Sequence, residues 1–241
     1  VRIVSRAGDW PKSIRTAKAA VAAIMKEQDA YRIDWPAYRP PLESYKLDYG
    51  IGIVGFGGVA RRFHFPAYRH ARFRVEGVSD VSDDALAAAR AEGVPQVARD
   101  YKELLKNDAI DLIDVTVNHK IEGLRVEIVK AAAEAGKHVL MQKPLGQTLD
   151  EARLMVDIAE KAGIGLAVNQ NARYCPACYA VKQLLAPERL GQPGILEIKN
   201  IVNSGYGLKL GPGGMIVEWG IHHADLLRWR AAMAQRPAMA L

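Results

Sequence analysis

Cysteine is scarce: Cys175 and Cys178 are the two in 241 residues. That rules out a disulfide framework and makes the cytoplasm the expected compartment. Long apolar runs are missing too. None reaches the ~18 residues that a bilayer-crossing helix needs, and the first residues lack the apolar stretch of a secretory signal. There is no low-complexity tract and no solenoid-type repeat. Basic residues outnumber acidic ones, 33 to 27, but they are scattered rather than gathered into a stripe. Neither a nucleic-acid nor a membrane partner is expected, although the net charge of +6 favours an anionic small ligand such as a dinucleotide. What the chain does have is 49% apolar residues, enough to bury the core of one large domain or one and a half.

Three regions differ in pattern. In residues 1–48, "PKSIRTAKAAVAAIMKE" (11–27) has the periodicity of an amphipathic helix, and Pro36, Pro40 and Pro41 then break it into an extended linker. From 49 to 172, short apolar runs alternate with helical periods. Strands are expected at 51–54, 73–79, 96–98, 111–117, 138–141 and 165–170. The intervening helices include one from Gly58 to Tyr68 and one that stops at Gly136. Such alternation implies right-handed crossovers and a doubly wound parallel sheet of Rossmann type, in the α/β class. Residues 173–241 read as a partial second domain of α+β type. A helix over 176–185 is followed by one long strand (194–202), a glycine-rich loop and a helix beginning near Trp219. One strand cannot make a stable sheet, and the tail "RAAMAQRPAMAL" resumes no strand pattern. These features, with the starting valine, give the expectation of a truncated or frameshifted product.

The segment Gly55-Phe56-Gly57-Gly58-Val59-Ala60 fits G-x-G-x-x-G/A between a strand and a helix. Gly55 permits a tight turn and Gly57 lets amides approach a pyrophosphate. Ala60 allows close packing of helix on strand, and the helix start offers free N–H groups. Asp80 ends the second strand, where a carboxylate can hold the ribose hydroxyls of an adenosine; alternatively it caps the next helix. It favours NAD, while Ser79 and Ser82 leave NADP open. "VLMQKPLG" (139–146) places Gln142, Lys143 and Pro144 at the tip of a buried strand, at the ligand-binding end of a parallel sheet. "GLRVEIVKAAAEA" (123–135) is apolar at helical spacing and reads as a cover for the sheet.

Taken in order, "GIVGFGGVARRFHFPAY", "DVTVNH", "AAAEAGKHVLMQKPLGQT", "NQNARYCPA" and "GGMIVEWGIHHADLLRW" resemble the Gfo/Idh/MocA family of NAD(P)-dependent oxidoreductases. The resemblance runs from about residue 49 to 229. It implies a Rossmann domain followed by an open antiparallel sheet that forms a substrate floor and an oligomer interface. It also implies a hydride transfer between a nicotinamide cofactor and a sugar, cyclitol or related polyol. Gly55, Phe56, Gly57, Gly58, Val59, Asp80, Thr116, Asn118, Gln142 and Lys143 would then line the cofactor site. The family's Glu-Lys-Pro falls on Gln142, Lys143 and Pro144, so the lysine matches and the glutamate does not. Its Asp-x-Gly-x-His-x-x-Asp falls on Glu218, Gly220, His222 and Asp225, and its Thr-Pro-Asn on Thr116, Val117 and Asn118. Lys143, Glu218 and His222 are the implied catalytic residues, with Arg173, His222 and Asp225 toward substrate.

Lysine, with a reference pKa of ~10.4, suits polarising a hydroxyl, while histidine at ~6.5 suits carrying the proton. Without a carboxylate at 142, Lys143 is expected to titrate lower than it would beside glutamate. Cys175 and Cys178 have C-x-x-C spacing but lack the βαβ setting of a thioredoxin, so coincidence is the expected reading. His222, His223 and Asp225 lack the i, i+4 spacing of a zinc pair, and no metal site is expected. The family's homo-oligomers are expected of full-length members and not of a chain missing most of the floor sheet. Two further readings stay open: a dinucleotide-binding protein without catalysis, and a glycoside hydrolase that keeps NAD bound.

Overall fold

The computed structural model describes residues 48–184, 197–198 and 216–231. The helical arm, the proline linker, all but two residues of the strand expected at 194–202, the glycine-rich loop and the tail lie outside them. The antiparallel second sheet implied by the resemblance therefore also lies outside.

Six strands form one wholly parallel sheet: β1 (Gly50–Val54), β2 (Arg74–Ser79), β3 (Gln96–Ala98), β4 (Leu112–Val115), β5 (His138–Gln142) and β6 (Leu166–Asn169). Their order is β3-β2-β1-β4-β5-β6. This is the Rossmann order, in which the chain reverses its direction of travel across the sheet between β1 and β4 and leaves a crevice at their carboxyl ends. β1 is buried at all five positions, which is why it reads as a continuous apolar run rather than an alternating one.

Period-two alternation sends neighbouring side chains to two separate cores. Ile51, Ile53, Phe56, Phe65, Val78 and Ala89 pack on one face, against α1 (Phe65–His70) and α2 (Asp83–Ala91). Val54, Ile113, Val115, Ile128, Val139 and Met155 pack on the other, against α4 (Leu124–Glu134) and α5 (Leu149–Ala162). A short α3 (Lys102–Leu105) links β3 to β4. Local signals set the helix ends. Ser82 Oγ accepts the Ala85 N–H and Thr148 Oγ1 accepts the Glu151 N–H, while α5 stops at Gly163 with φ 69°. After β6 come a 3₁₀ turn (Asn171–Tyr174) and α6 (Pro176–Leu184). Residues 216–231 hold a π turn (Ile216–Gly220) leading into α7 (Ile221–Ala231). Among the described residues no helix is long and apolar enough to cross a membrane.

The strands match their expected positions to within about two residues at each end. The helix expected from Gly58 begins there, widens into a π turn (Ala60–His64) and continues as α1. Its first main-chain bond runs from the Arg61 N–H to Gly57 O at 3.0 Å. The wider turn carries His64 inward, where it is buried.

Candidate functional site

The glycine loop leaves β1 at Gly55, whose φ of 90° is left-handed. The Gly55 N–H donates to Ser79 O at 2.8 Å and the Thr116 N–H to Val54 O at 2.9 Å, pinning the loop between β2 and β4. A Cβ on Gly55 would lie 3.0 Å from the Val117 nitrogen, so both the turn and the close approach require glycine. Gly57 and Gly58 are different. A Cβ on either would have no heavy atom within 4 Å, and both are exposed at the mouth of the crevice. The fold does not need them bare; a ligand approaching the loop amides would. The N–H groups at this helix start have no partner within the helix, which makes the loop an anion cradle.

Asp80 stands at the end of β2. Its Oδ2 accepts the Phe56 N–H at 2.6 Å and its Oδ1 the Ser82 N–H at 2.8 Å. Ser82, not Asp80, caps α2. Asp80 instead ties the second residue of the glycine loop to the tip of β2, with its carboxylate beside a cavity of about 160 Å³ whose other walls include Val54, Val81, Ile121 and Leu124.

A larger cavity, about 480 Å³, runs from Gly57 and Gly58 past Thr116 and Asn118 to Gln142 and Lys143. Among the described residues its charged lining is Lys120, Arg125 and Lys143 against Glu218, with His119 beside them. Lys143 Nζ donates to Glu218 Oε2 at 2.8 Å and to Glu218 O at 3.0 Å. His119 Nε2 lies 3.4 Å from Glu218 Oε1, so one carboxylate faces both the Lys143 ammonium and the His119 imidazole. Burial alone would raise the Glu218 pKa, but the Lys143 hydrogen bond and charge outweigh it and hold it below the usual range. Burial pushes His119 down against the pull of Glu218, with Arg125, Lys120 and Lys143 adding to the fall.

Here one expectation fails. The Gln142 side chain does not touch the Lys143 ammonium. Its Oε1 accepts the main-chain N–H of Lys143 at 2.7 Å and its Nε2 lies 3.1 Å from His64 Nε2. The counter-charge that a glutamate at 142 was expected to provide comes from Glu218.

His222 lies in the first turn of α7. Burial first, then the charges of Lys143 and His223, push its pKa below the ordinary imidazole value, and its buried Nδ1 has no hydrogen-bond partner among the described residues. Arg173 and Asp225, both expected toward substrate, are locked together. Nε donates to Oδ2 at 2.6 Å and Nη2 to Oδ1, a bidentate pair beside a separate cavity lined by Gln170 and Tyr174. Asp225 raises the Arg173 pKa through those hydrogen bonds.

Arg125 went unrecognised in the sequence. The helix 123–135 does cover the sheet, yet this guanidinium is buried and its pKa is pushed down to about 10 by burial. It donates to Val117 O at 2.6 Å, Gln142 O at 2.8 Å and Pro144 O, clamping the β4 and β5 loops together. His119 was also missed, as were His64 and Asp114 beneath the site. The signal for Asp114 was a charged residue in an otherwise apolar strand, "LIDV".

Residues 49–170 match the model of the Gfo/Idh/MocA oxidoreductase family with its NAD-binding Rossmann fold. The chain is 31% identical over 186 residues to 1,5-anhydro-D-fructose reductase of Ensifer adhaerens, which is 74% of this chain and 55% of that protein. It is 31% identical over 140 residues to D-xylose 1-dehydrogenase (NADP(+)) 2 of Haloferax volcanii, 57% of this chain and 42% of that one. A probable dehydrogenase from Thermotoga maritima shares the fold at a TM-score of 0.68 and 24% identity, over 76% of this chain and 55% of the other. The chain thus spans about half the length of the curated relatives it matches. With the glycine loop, the parallel sheet and more than half of its residues on that one family model, the chain belongs to the Gfo/Idh/MocA family of NAD-binding oxidoreductases.

Proposed function

We propose that the protein is an NAD(P)-dependent oxidoreductase acting on a sugar, cyclitol or related polyol. The observation that carries this reading is the continuous cationic cleft from the bare glycines Gly57 and Gly58 to Lys143. A dinucleotide fits it: the loop amides take the pyrophosphate, Asp80 takes the adenosine ribose, and the apolar slot beside Asp80 takes the base. Thr116, Asn118 and Gln142 border the other end, and a carboxylate at position 80 disfavours a 2′-phosphate. When bound, the nicotinamide supplies the hydride acceptor or donor. Lys143, held by Glu218, polarises the substrate hydroxyl. His222, kept neutral by burial, accepts its proton.

The test is a panel of polyols and sugars with NAD⁺ and NADP⁺, followed by cofactor reduction. Reduction that is lost in Lys143→Ala supports the proposal. A second reading, dinucleotide binding without turnover, draws support from the Arg173–Asp225 pair, which spends on each other two side chains expected to meet substrate. Cofactor binding with no reduction across the panel would favour it, and sugar release without net reduction would point to hydrolysis.

A further inference from the structure

Beneath the Lys143 turn, outside the cleft, four elements converge on one imidazole. His64, 6% exposed, comes from the π turn that follows the glycine loop. Its Nδ1 lies 2.8 Å from Asp114 Oδ2 in β4, and Asp114 is fully buried. Its Nε2 faces two side-chain amides, Gln142 Nε2 and Asn169 Nδ2, each at 3.1 Å. The Tyr68 hydroxyl donates to the same Asp114 oxygen at 2.9 Å. Burial and Asp114 raise the Tyr68 pKa, so the hydroxyl keeps its proton.

The hydrogen-bonding roles leave a single consistent assignment. The Lys143 main-chain N–H can only donate, so the atom it meets at 2.7 Å is the Gln142 carbonyl oxygen. The NH₂ of that amide is therefore the end turned to His64. An NH₂ can only donate, so His64 Nε2 is bare and accepts, and the ring proton sits on Nδ1, donated to Asp114. The groups facing the ring are Asp114 from β4, Tyr68 from α1, Gln142 from β5 and Asn169 from β6. Among the described residues, Asp114 is the one acid in that set.

We propose that His64 is the positioning residue of the Lys143 turn. As a neutral ring protonated on Nδ1, it anchors the Gln142 amide, and Gln142 in turn holds the main-chain N–H at the base of Lys143. This assignment rests on the proposed role of Lys143 as the residue that meets substrate. It also explains why an amide occupies position 142. A carboxylate there has no N–H to give to Nε2; it would place a proton on that nitrogen and leave an imidazolium between two acids. The glutamine and the neutral histidine are a matched pair. The ring also joins the two ends of the cleft, because the helix that starts at the phosphate cradle carries the side chain that steadies the lysine turn.

Long-range ¹H–¹⁵N correlation spectra of the full chain at neutral pH, without cofactor, read the His64 tautomer directly. Wild type is expected to show one protonated and one bare nitrogen, with the bare one at Nε2. Gln142→Glu is expected to show both protonated. A wild-type proton on Nε2, or on both nitrogens, overturns the proposal. Hydrogen exchange of the Lys143 N–H reads the positioning. His64→Leu fills the space without bonding and should speed that exchange by about tenfold or more. His64→Gln, whose carbonyl can accept from Gln142, should restore it to within roughly threefold of wild type. A folded His64→Leu with unchanged Lys143 exchange shows packing alone and also overturns the proposal. If His64→Leu does not fold, His64→Gln and the tautomer decide. Because both readouts are made without cofactor, a failure to bind NADH, seen separately as an absent shift in melting temperature, counts against the proposed function and not against His64.

Discussion

Replacing Gly57 by alanine separates what the glycine loop does for folding from what it does for binding. A Cβ at this position meets no heavy atom within 4 Å, and the residue is not in the left-handed region. Alanine therefore costs the fold nothing. By narrowing the unfolded ensemble it adds ~0.4–1 kcal/mol, which for a chain of this size leaves the melting temperature unchanged or raises it by roughly 1–4 °C. Binding is another matter. The methyl stands where a pyrophosphate approaches the loop amides, and losing one charge-assisted hydrogen bond costs ~1.5–3 kcal/mol. The Kd for NADH then rises roughly 10- to 150-fold. Gly55→Ala is the contrasting variant. With φ at 90° and a Cβ 3.0 Å from the Val117 nitrogen, it loses ~1–3 kcal/mol of stability even without cofactor. Isothermal titration with NADH and calorimetric melting check both arms. A Gly57→Ala protein that binds NADH like wild type, or melts well below it, refutes the reasoning.

Three further outcomes follow from the geometry. The Glu218 pKa lies below its unfolded value, so the stability it contributes is present above about pH 4.3 and is lost as pH falls from there through the folded-state value. Acid melting curves of wild type should thus steepen in that window relative to Glu218→Gln, and parallel curves would contradict the pairing. Arg125→Lys leaves buried carbonyls of Val117, Gln142 and Pro144 without the fork that fits them, a cost of ~2–4 kcal/mol, so calorimetry should show a melting temperature lower by more than about 4 °C. Asp80→Ala strips the acceptor from the Phe56 and Ser82 amides and from the proposed ribose contact. Competitive titration should find NADH weakened by about tenfold or more and NADPH weakened less.

The parts of the molecule readable in the sequence are those written in short-range pattern. Apolar runs and helical periods mark all six strands, and the glycine spacing with Asp80 marks the mouth of the crevice. These signals live within a few residues, or within one βαβ unit. What the pattern does not carry is which polar side chains turn inward. His64 meets Asp114 across 50 positions and Asn169 across 105, and nothing near His64 in the chain reports either partner. Arg125 looks like one polar residue in an apolar helix, since its three acceptors are main-chain carbonyls and leave no trace in residue type. Gln142 stands out beside Lys143 in the sequence, but its side chain meets the Lys143 main-chain N–H and His64 instead of the ammonium. The pleat sends the two side chains apart, and the ion-pair partner of Lys143 comes from Glu218, 75 positions away.

The central claim is that the glycine loop and the Lys143 turn are two ends of one dinucleotide cleft. Hydrogen–deuterium exchange with and without saturating NADH tests it most directly. The account predicts slower exchange together at residues 56–60, 80–82, 116–120 and 142–144. Exchange that NADH leaves unchanged in all four segments would contradict it.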